Sequence, residues 1–238
     1  MGQTAVSRGR LPSVTSVTFR RGLYAGRLFL GVGLMVSLIL TTVLLRSPRG
    51  AVVFESTFPL EVPLFASLGA MGGMMLFVSD RSKGVLEYLI AYGIRPGTLF
   101  ANCLLTTVGL SSIVLGSALA VGLGGFLVTG HPLTTDLENS VLGYTIPMTY
   151  ASSLFAASCG MIWSTLSTPR IGYNSQAGVA PLLGVAPPML VLILAEAVDR
   201  SQYYYVTVGA SLGFVALVAV LLLASTRLMG RERYLSAM

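Results

Sequence analysis

The sequence predicts an all-α integral membrane protein with six transmembrane helices, and three observations support this class. Of the 238 residues, 54% are hydrophobic and only 10% are charged, whereas soluble domains are about 25% charged. Six uncharged stretches approach or exceed the ~20 residues that a helix needs to cross a bilayer. The basic residues gather in alternate connecting segments, as is typical of membrane topology.

The six uncharged stretches give the predicted spans. They are Leu28–Leu45, Val62–Val78, Leu99–Val128, Val141–Thr168, Gly178–Ala195 and Tyr203–Thr226. The third and fourth are longer than a bilayer requires, and we expect them to tilt or to project beyond it. The fifth contains Pro181, Pro187 and Pro188. Because proline removes a helical hydrogen bond, we expect this span to kink or break.

Lysine and arginine predict the orientation, because they favour the cytoplasmic side. The two terminal segments and the second and fourth connections hold twelve of the fifteen cations. The other connections hold Arg46, Arg49 and Arg200 together with six of the nine acids, including Glu55 and Glu61. We therefore expect a multi-pass plasma-membrane protein with both termini in the cytoplasm. The net charge of +6 reflects this topology, and we expect no nucleic-acid partner.

The sequence divides into two parts. Residues 1–27 form a cytoplasmic N-terminal segment, in which Val14–Arg27 mixes apolar and basic side chains. That mixture is typical of an amphipathic helix on the inner membrane surface. Residues 28–238 form the six-span transmembrane domain.

Patterns for catalysis and metal binding are missing from the sequence. The one histidine, His131, lies in a predicted outer loop, whereas a metal site or an acyl-transfer triad needs more partners. There is no P-loop pattern, so we expect no enzyme activity and no ATP site in this chain. Cys103 and Cys159 lie in apolar runs, which argues against a disulfide framework.

Pairs of glycines at helical spacing predict close helix packing. Gly209 and Gly213 enclose Ser211 in a pattern that also matches a hydrolase nucleophile elbow, but that motif needs a strand-to-helix turn. In an apolar helix, the same small residues allow two helices to approach closely. Gly69 and Gly73 in the second span are interpreted in the same way.

Three methionines, Met71, Met74 and Met75, lie in the second span. Their flexible thioethers suit either ordinary core packing or an adaptable apolar route for a substrate. A copper site is disfavoured, since no cysteine or histidine accompanies them in that span.

The predicted inner loop between the second and third spans contains a short amphipathic helix. Ser79 or Asp80 is the candidate helix cap, and Gly93 and Pro96 mark the end of the helix and the start of the next element. One face carries the apolar residues at helical spacing, which are Val85, Leu86, Leu89 and Ile90. Glu87 and Tyr88 are then available to a soluble partner.

This loop resembles the first inner loop of the permeases of type-two ABC transporters, which are mostly exporters. That loop typically has a basic-acidic start, then Gly-Thr-Leu-Glu-x-Leu-Leu and a later proline. The matching residues here are Gly84, Leu86, Glu87, Leu89 and Pro96, while Val85 and Ile90 replace Thr and the second Leu. The family also has six spans, an inner-surface helix before the first, and cytoplasmic termini.

The resemblance implies a function and partners. Two permeases, identical or related, would pair with two ATPase subunits that bind ATP and Mg²⁺. The coupling contact would be a short cytoplasmic coupling helix, with Arg81, Gly84, Leu86, Glu87, Tyr88, Leu89 and Pro96. The route between permeases would be lined chiefly by the second and fifth spans, with Met71, Met74, Met75, Pro181, Pro187 and Pro188 as candidates.

Two other functions compete with an ATP-driven permease. An ion-gradient transporter or channel commonly carries ionisable groups at membrane depth, and the predicted spans have none at their centres. A membrane enzyme lacks its catalytic set. The apolar spans suit a hydrophobic or amphipathic cargo whose identity the sequence leaves open.

Overall fold

The part of the chain that the structure describes is all-helical, which confirms the all-α part of the predicted class. This computed structural model describes residues 14–46, 50–166, 182–191, 193–194 and 200–229. In these ranges the helices are α1 (Val14–Ala25), α2 (Arg27–Arg46), α3 (Gly50–Gly69), α4 (Gly72–Ser82), α5 (Val85–Ala91), α6 (Pro96–Val128), α7 (Thr135–Ser140), α8 (Ile146–Leu166), α9 (Leu182–Val191) and α10 (Arg200–Met229). A π-helical segment, Val141–Thr145, joins α7 to α8.

Four helical stretches are long and apolar enough to cross a membrane. They are Arg27–Arg46, Val53–Ser82, Pro96–Val128 and Tyr205–Ala224. Each overlaps one of the predicted spans, namely the first, second, third and sixth. Such a set of long apolar helices is typical of an integral membrane protein.

The fourth and fifth predicted spans correspond to α8 and α9, which are not among these four stretches. α8 is 21 residues long and carries several buried hydroxyls, including Ser152, Ser153 and Ser158. It packs against α3, α4, α6 and α10, so these hydroxyls face protein. A helix in this position has less need of lipid-compatible side chains. α9 covers only Leu182–Val191, and the flanking residues 178–181 lie outside the described ranges.

The second predicted span, Val62–Val78, is too short. Its helix begins at Gly50 as α3 and ends at Ser82 as α4, with one break at Ala70–Met71. Glu61 therefore lies within α3 and is only 6% exposed, so the predicted span begins too late and leaves out an enclosed acid. A span predicted from uncharged residues stops at the first acid. The real helix can extend past that acid where neighbouring helices enclose it.

The long helices alternate in direction, which gives the bundle two ends. α4, α5 and α6 meet at one end, here called the α5 side, and α7 lies at the other, the α7 side. α9 runs from the level of Ser67, which contacts Gly184, to the level of Tyr144, which clusters with Val191. It therefore runs from the α5 side toward the α7 side.

The two larger buried apolar clusters lie one toward each end of the bundle. The cluster toward the α5 side contains Met71 at the break, Met74–Val78 of α4, Phe100 of α6 and Met161 of α8. The cluster toward the α7 side is built on Phe54 and Phe58 of α3 and on neighbouring side chains of α6 and α7. Burial of apolar side chains is the main favourable term in folding, so these clusters fix the helix positions.

The N-terminal helix α1 packs on the α5 side of the bundle, against α4 and α6. At the junction of α1 with α2, helical hydrogen bonds continue, from Gly26 N–H to the Gly22 carbonyl at 2.8 Å. A Cβ atom on Gly26 would overlap the Gly72 backbone. The α1–α2 junction is therefore in backbone contact with the break between α3 and α4.

Candidate functional site

The loop that carries the family resemblance forms a short helix on the α5 side. α4 ends at Ser82, and α5 begins after Gly84, which has a φ of 72°, a conformation that glycine adopts at little cost. The predicted cap at Ser79 or Asp80 is therefore wrong, because α4 continues through both residues. Gly93 also has a positive φ of 85° and ends the loop helix, and Pro96 opens α6 as predicted.

The apolar face of α5 anchors it to the bundle. Leu86 is buried, and Leu89 and Ile90 pack against the α5-side cluster. This cluster continues into the long helices through Phe77 and Phe100, whose rings meet edge to face at 6.4 Å. α5 therefore shares one close-packed cluster with α4 and α6, and packed interiors resist deformation.

The opposite face of α5 carries two exposed tyrosines. Tyr88 is 60% exposed and Tyr92 is 70% exposed, and their ring centroids are 4.5 Å apart. A hydrogen bond with Tyr92 raises the pKa of Tyr88. Exposed aromatic side chains with a polar end are enriched at protein interfaces, so this pair is suited to a docking contact.

Glu87 is half-buried rather than fully exposed. Among the described residues its Oε2 atom is enclosed without a hydrogen-bond partner, and so is the Nη1 atom of Arg81. Glu87 lies in the first turn of α5, where a negative charge interacts favourably with the helix dipole. The Glu87 carboxylate and the Arg81 guanidinium therefore each have an atom that could form a further hydrogen bond near the surface of the bundle.

An ion pair fastens the inner end of α4 to α1. The Arg21 guanidinium donates to the Asp80 carboxylate at 2.5 Å. The side chain of Asp80 is 10% exposed and that of Arg21 is 46% exposed. The pair fixes the end of α4 three residues before the loop, so α1, α4 and α5 are mechanically connected. The sequence shows both residues but not that they meet.

The three methionines proposed for a substrate route all lie in the interior of the helical bundle. Met71 and Met74 are fully enclosed, and Met75 is nearly so. Met71 approaches Gly184 of α9, and Gly160 of α8 leaves room for the Met74 side chain. In the described part of the chain the three side chains pack in the core between α4, α8 and α9, and their role in a route stays a prediction.

Three prolines in the helices free a backbone carbonyl, and each such carbonyl accepts a hydroxyl from another helix. Without an amide hydrogen, a proline cannot bond to the carbonyl four residues earlier. Pro63, Pro147 and Pro188 thus free the carbonyls of Pro59, Gly143 and Gly184. The donors are Thr145 to Pro59, Ser211 to Gly143 and Ser67 to Gly184, each at 3.0 Å.

These contacts correct the prediction for the fifth span. The helix α9 continues through Pro187 and Pro188, so the helix does not break at these two residues, while the expected kink stays a prediction. The hydroxyl of Ser67 replaces the helical donor that Pro188 removes, although it also approaches the carbonyl of Leu64 at 2.8 Å. Pro181 lies outside the described residues.

The four glycines singled out for packing fall into two groups. A Cβ on Gly69 would lie 2.7 Å from Val114, and one on Gly73 would overlap the carbonyl of Cys103. Gly209 and Gly213 of α10 have no other heavy atom within 4 Å of a Cβ in the described part of the chain. The first pair packs within the subunit, and the second pair lies on an open face.

Several important residues have no signature in the sequence. Glu61, the Arg21–Asp80 pair and the hydroxyl donors to the freed carbonyls all depend on which helices are neighbours. Only the prolines could be recognised in the sequence. A proline inside a helix indicates that a backbone carbonyl lacks its helical donor and needs another one. Among the described residues no group of three or more His, Cys, Asp or Glu side chains is arranged to hold a metal ion.

Comparisons with protein-family models, with curated proteins and with solved structures find no match to this chain.

Proposed function

We propose that this chain is the transmembrane permease subunit of an ATP-driven transporter of the type-two ABC class. The observation that carries the proposal is α5, whose apolar face is anchored in the bundle while Tyr88 and Tyr92 are exposed. These features occur in the loop that resembles the coupling segment of that family. Such a helix is suited to receive a rigid-body motion from a soluble subunit and to pass it to α4 and α6.

The proposed topology has six crossings with both termini in the cytoplasm. Four long apolar helices support it, and α8 and α9 would supply the remaining crossings within the bundle. The distribution of lysine and arginine supports the orientation. The α5 side then faces the cytoplasm, where ATP is available to a partner, and α1 lies at the inner membrane surface.

The proposed assembly contains two ATPase subunits and a second permease, identical or related. ATP and Mg²⁺ would bind to the ATPase, and this chain would perform no chemistry. The open glycines of α10, Gly209 and Gly213, suit a close contact with another helix of the assembly. We propose a hydrophobic or amphipathic cargo, exported between the two permeases.

Affinity purification tests the proposal directly. The full-length chain, expressed in its own host with a C-terminal tag and extracted in mild detergent, should copurify with an ATP-binding subunit and vanadate-sensitive ATPase activity. Glu87→Arg should reduce recovery of this subunit or its activity several-fold, since like charges in a partly desolvated contact are unfavourable. Glu138→Arg, which changes an exposed acid on the α7 side, is the matched control. Equal recovery from both variants would contradict the role of α5.

An ion-gradient transporter is the second candidate, and Glu61 favours it. An ionisable residue enclosed within a membrane-spanning helix is a hallmark of ion-coupled transport. If the purified chain has no ATPase partner, and substrate movement follows a proton or sodium gradient, this candidate replaces the first.

A further inference from the structure

The interface between α2 and α3 encloses three oxygen-bearing side chains that lack hydrogen-bond partners among the described residues. The atoms are Ser37 Oγ, Thr41 Oγ1 and Glu61 Oε1. Ser37 and Thr41 are at most 1% exposed, and Glu61 is 6% exposed. Most buried side-chain polar atoms in proteins are paired, so three unpaired oxygens on one interface indicate a missing ligand.

The antiparallel register of α2 and α3 brings these side chains to the same level. A Cβ on Gly33 would lie 2.7 Å from the carbonyl oxygen of Phe65, and Leu45 packs in the cluster of Phe54 and Phe58. Between these two contacts, Ser37 is opposite Glu61 and the adjacent Val62. Thr41 lies one helical turn nearer to the α7 side.

We place this level inside the hydrocarbon core of the proposed membrane-spanning bundle. α2 has 20 residues, which gives a length of about 30 Å, close to the thickness of the hydrocarbon core. Ser37 lies at the centre of α2, and Glu61 lies opposite it. Water is therefore remote from the carboxyl group, and an isolated carboxylate in such surroundings is very unfavourable.

Among the residues that the structure describes, no basic side chain accompanies Glu61 at this level. The helical interiors packed against α3 belong to α2, α6, α8 and the π-helical segment, and they contain no Lys, Arg, Asp, Glu or His. Glu55 of α3 accepts a hydrogen bond from the Thr134 hydroxyl. The other charged or titratable groups on the elements packed against α3 are Arg27 and Arg46 at the ends of α2, Cys103, Asp136, Glu138, Tyr144, Tyr150 and Cys159. The described part of the chain offers no charge that balances Glu61, and a bound cation would supply it.

We propose that α2 and α3 form an exchangeable intramembrane site for one monovalent cation, a proton or a sodium ion, with Glu61 as the charged ligand and Ser37 and Thr41 as neutral ligands. A carboxylate with two hydroxyl oxygens is a hard donor set. It matches either cation, since each neutralises the single negative charge. The site goes beyond the proposed permease function. It rests on the enclosed Glu61 that also favours the second candidate, and its test does not depend on finding an ATPase partner.

Labelling with dicyclohexylcarbodiimide tests the site without a transport assay. This apolar reagent adds to protonated carboxyl groups in apolar surroundings and forms a stable acylurea that mass spectrometry detects. The full-length chain in lipid nanodiscs is labelled at mildly acidic and at alkaline pH, with either sodium chloride or choline chloride. We expect acylurea on the peptide containing Glu61, at a rate that falls about tenfold or more at alkaline pH.

The salt comparison separates the two cations. Protection by sodium chloride but not by choline chloride identifies a sodium site, and equal labelling in both salts with the pH effect retained identifies a proton site. Either result supports the proposal. A Glu61 that is labelled at one rate in all conditions, or that remains unlabelled in all of them, contradicts an exchangeable cation.

Matched variants assign the ligands. Glu61→Gln should abolish the label on that peptide. The double variant Ser37→Ala, Thr41→Ala should retain the label but shift its dependence on pH or on sodium about threefold or more. Thr42→Ala is the control, because the Thr42 hydroxyl donates to Leu38 of its own helix and is exposed. A double variant that behaves like Thr42→Ala overturns the roles of the two hydroxyls.

Discussion

The break between α3 and α4 and the loop helix α5 are close in sequence but differ in burial. Residues 69–78, around the break, are almost all buried, and the glycines there are in contact with other backbones. α5 buries one face and exposes the other, including Tyr88 and Tyr92. The first region has no tolerance for added volume, whereas the second is open to a partner. Substitutions should therefore affect stability in the first region and association in the second.

The largest effect should come from filling the contact at Gly73. Gly73→Leu places a side chain against the carbonyl of Cys103 and the Thr107 side chain, and neither the α6 backbone nor the helix it packs against has room to move. Overpacking typically costs about 1–3 kcal/mol and sometimes more, and here we expect loss of monodisperse protein in size-exclusion chromatography. Gly209→Leu is the control, since its surroundings are open. Similar behaviour of the two variants would contradict the packing difference.

A smaller effect should follow from removing Arg21. Arg21→Ala leaves the mostly buried Asp80 carboxylate without its partner, and removing one member of a buried pair costs ~3–5 kcal/mol. Because Arg21 is nearly half exposed, water screens the pair and we expect about 1–2 kcal/mol. Thermal unfolding in detergent measures this against Arg20→Ala, an exposed arginine on the same helix. Equal midpoints for the two variants would show that the pair does not fasten α1 to α4.

The hydroxyl bonds to freed carbonyls should have still smaller effects, and they can be tested as a cycle. Ser211→Ala leaves the carbonyl of Gly143 without the donor that replaces the missing amide of Pro147. Hydrogen bonds between membrane helices average about 0.6 kcal/mol, so we expect roughly that loss in unfolding free energy. In a Pro147→Ala background, where a main-chain donor is restored, the loss should shrink.

The control for this cycle is Ser117→Ala, whose hydroxyl bonds only to its own helix, at the carbonyl of Ile113. The unfolding free energy of all variants is measured under the same conditions. A Ser211→Ala effect that is unchanged by Pro147→Ala would contradict the link between the proline and the hydroxyl.

Much of the fold could be predicted because long apolar runs and the loop signals are local properties of the chain. Gly93 and Pro96 ended and opened helices as expected, and the apolar face of α5 packs inward as its spacing indicated. Glu61 could not be placed in a span, because its enclosure depends on α2 packing beside α3. The continuity of α9 through Pro188 likewise depends on a donor, Ser67, that is distant in sequence.

The candidate site on α5 was predicted only in part, because only its local sequence pattern could be used. The spacing of Leu86 and Leu89 identified the buried face of α5, since helix periodicity is visible in the sequence. The half-buried position of Glu87 was not predicted, because it depends on the fold of the loop around Gly84. The methionines were assigned to a route by residue type, but their enclosure by α8 and α9 is a tertiary property.

Photocrosslinking from α5 tests the central claim most directly. A benzoylphenylalanine residue replaces Tyr88 in the full-length chain in its own host, and a second variant carries it at Glu138 on the α7 side. After irradiation, mass spectrometry identifies the attached chain. The account predicts an adduct with a P-loop ATPase from position 88 and none from position 138. No ATPase adduct at position 88, or the same adduct from both positions, would contradict the proposal that α5 couples this chain to an ATPase.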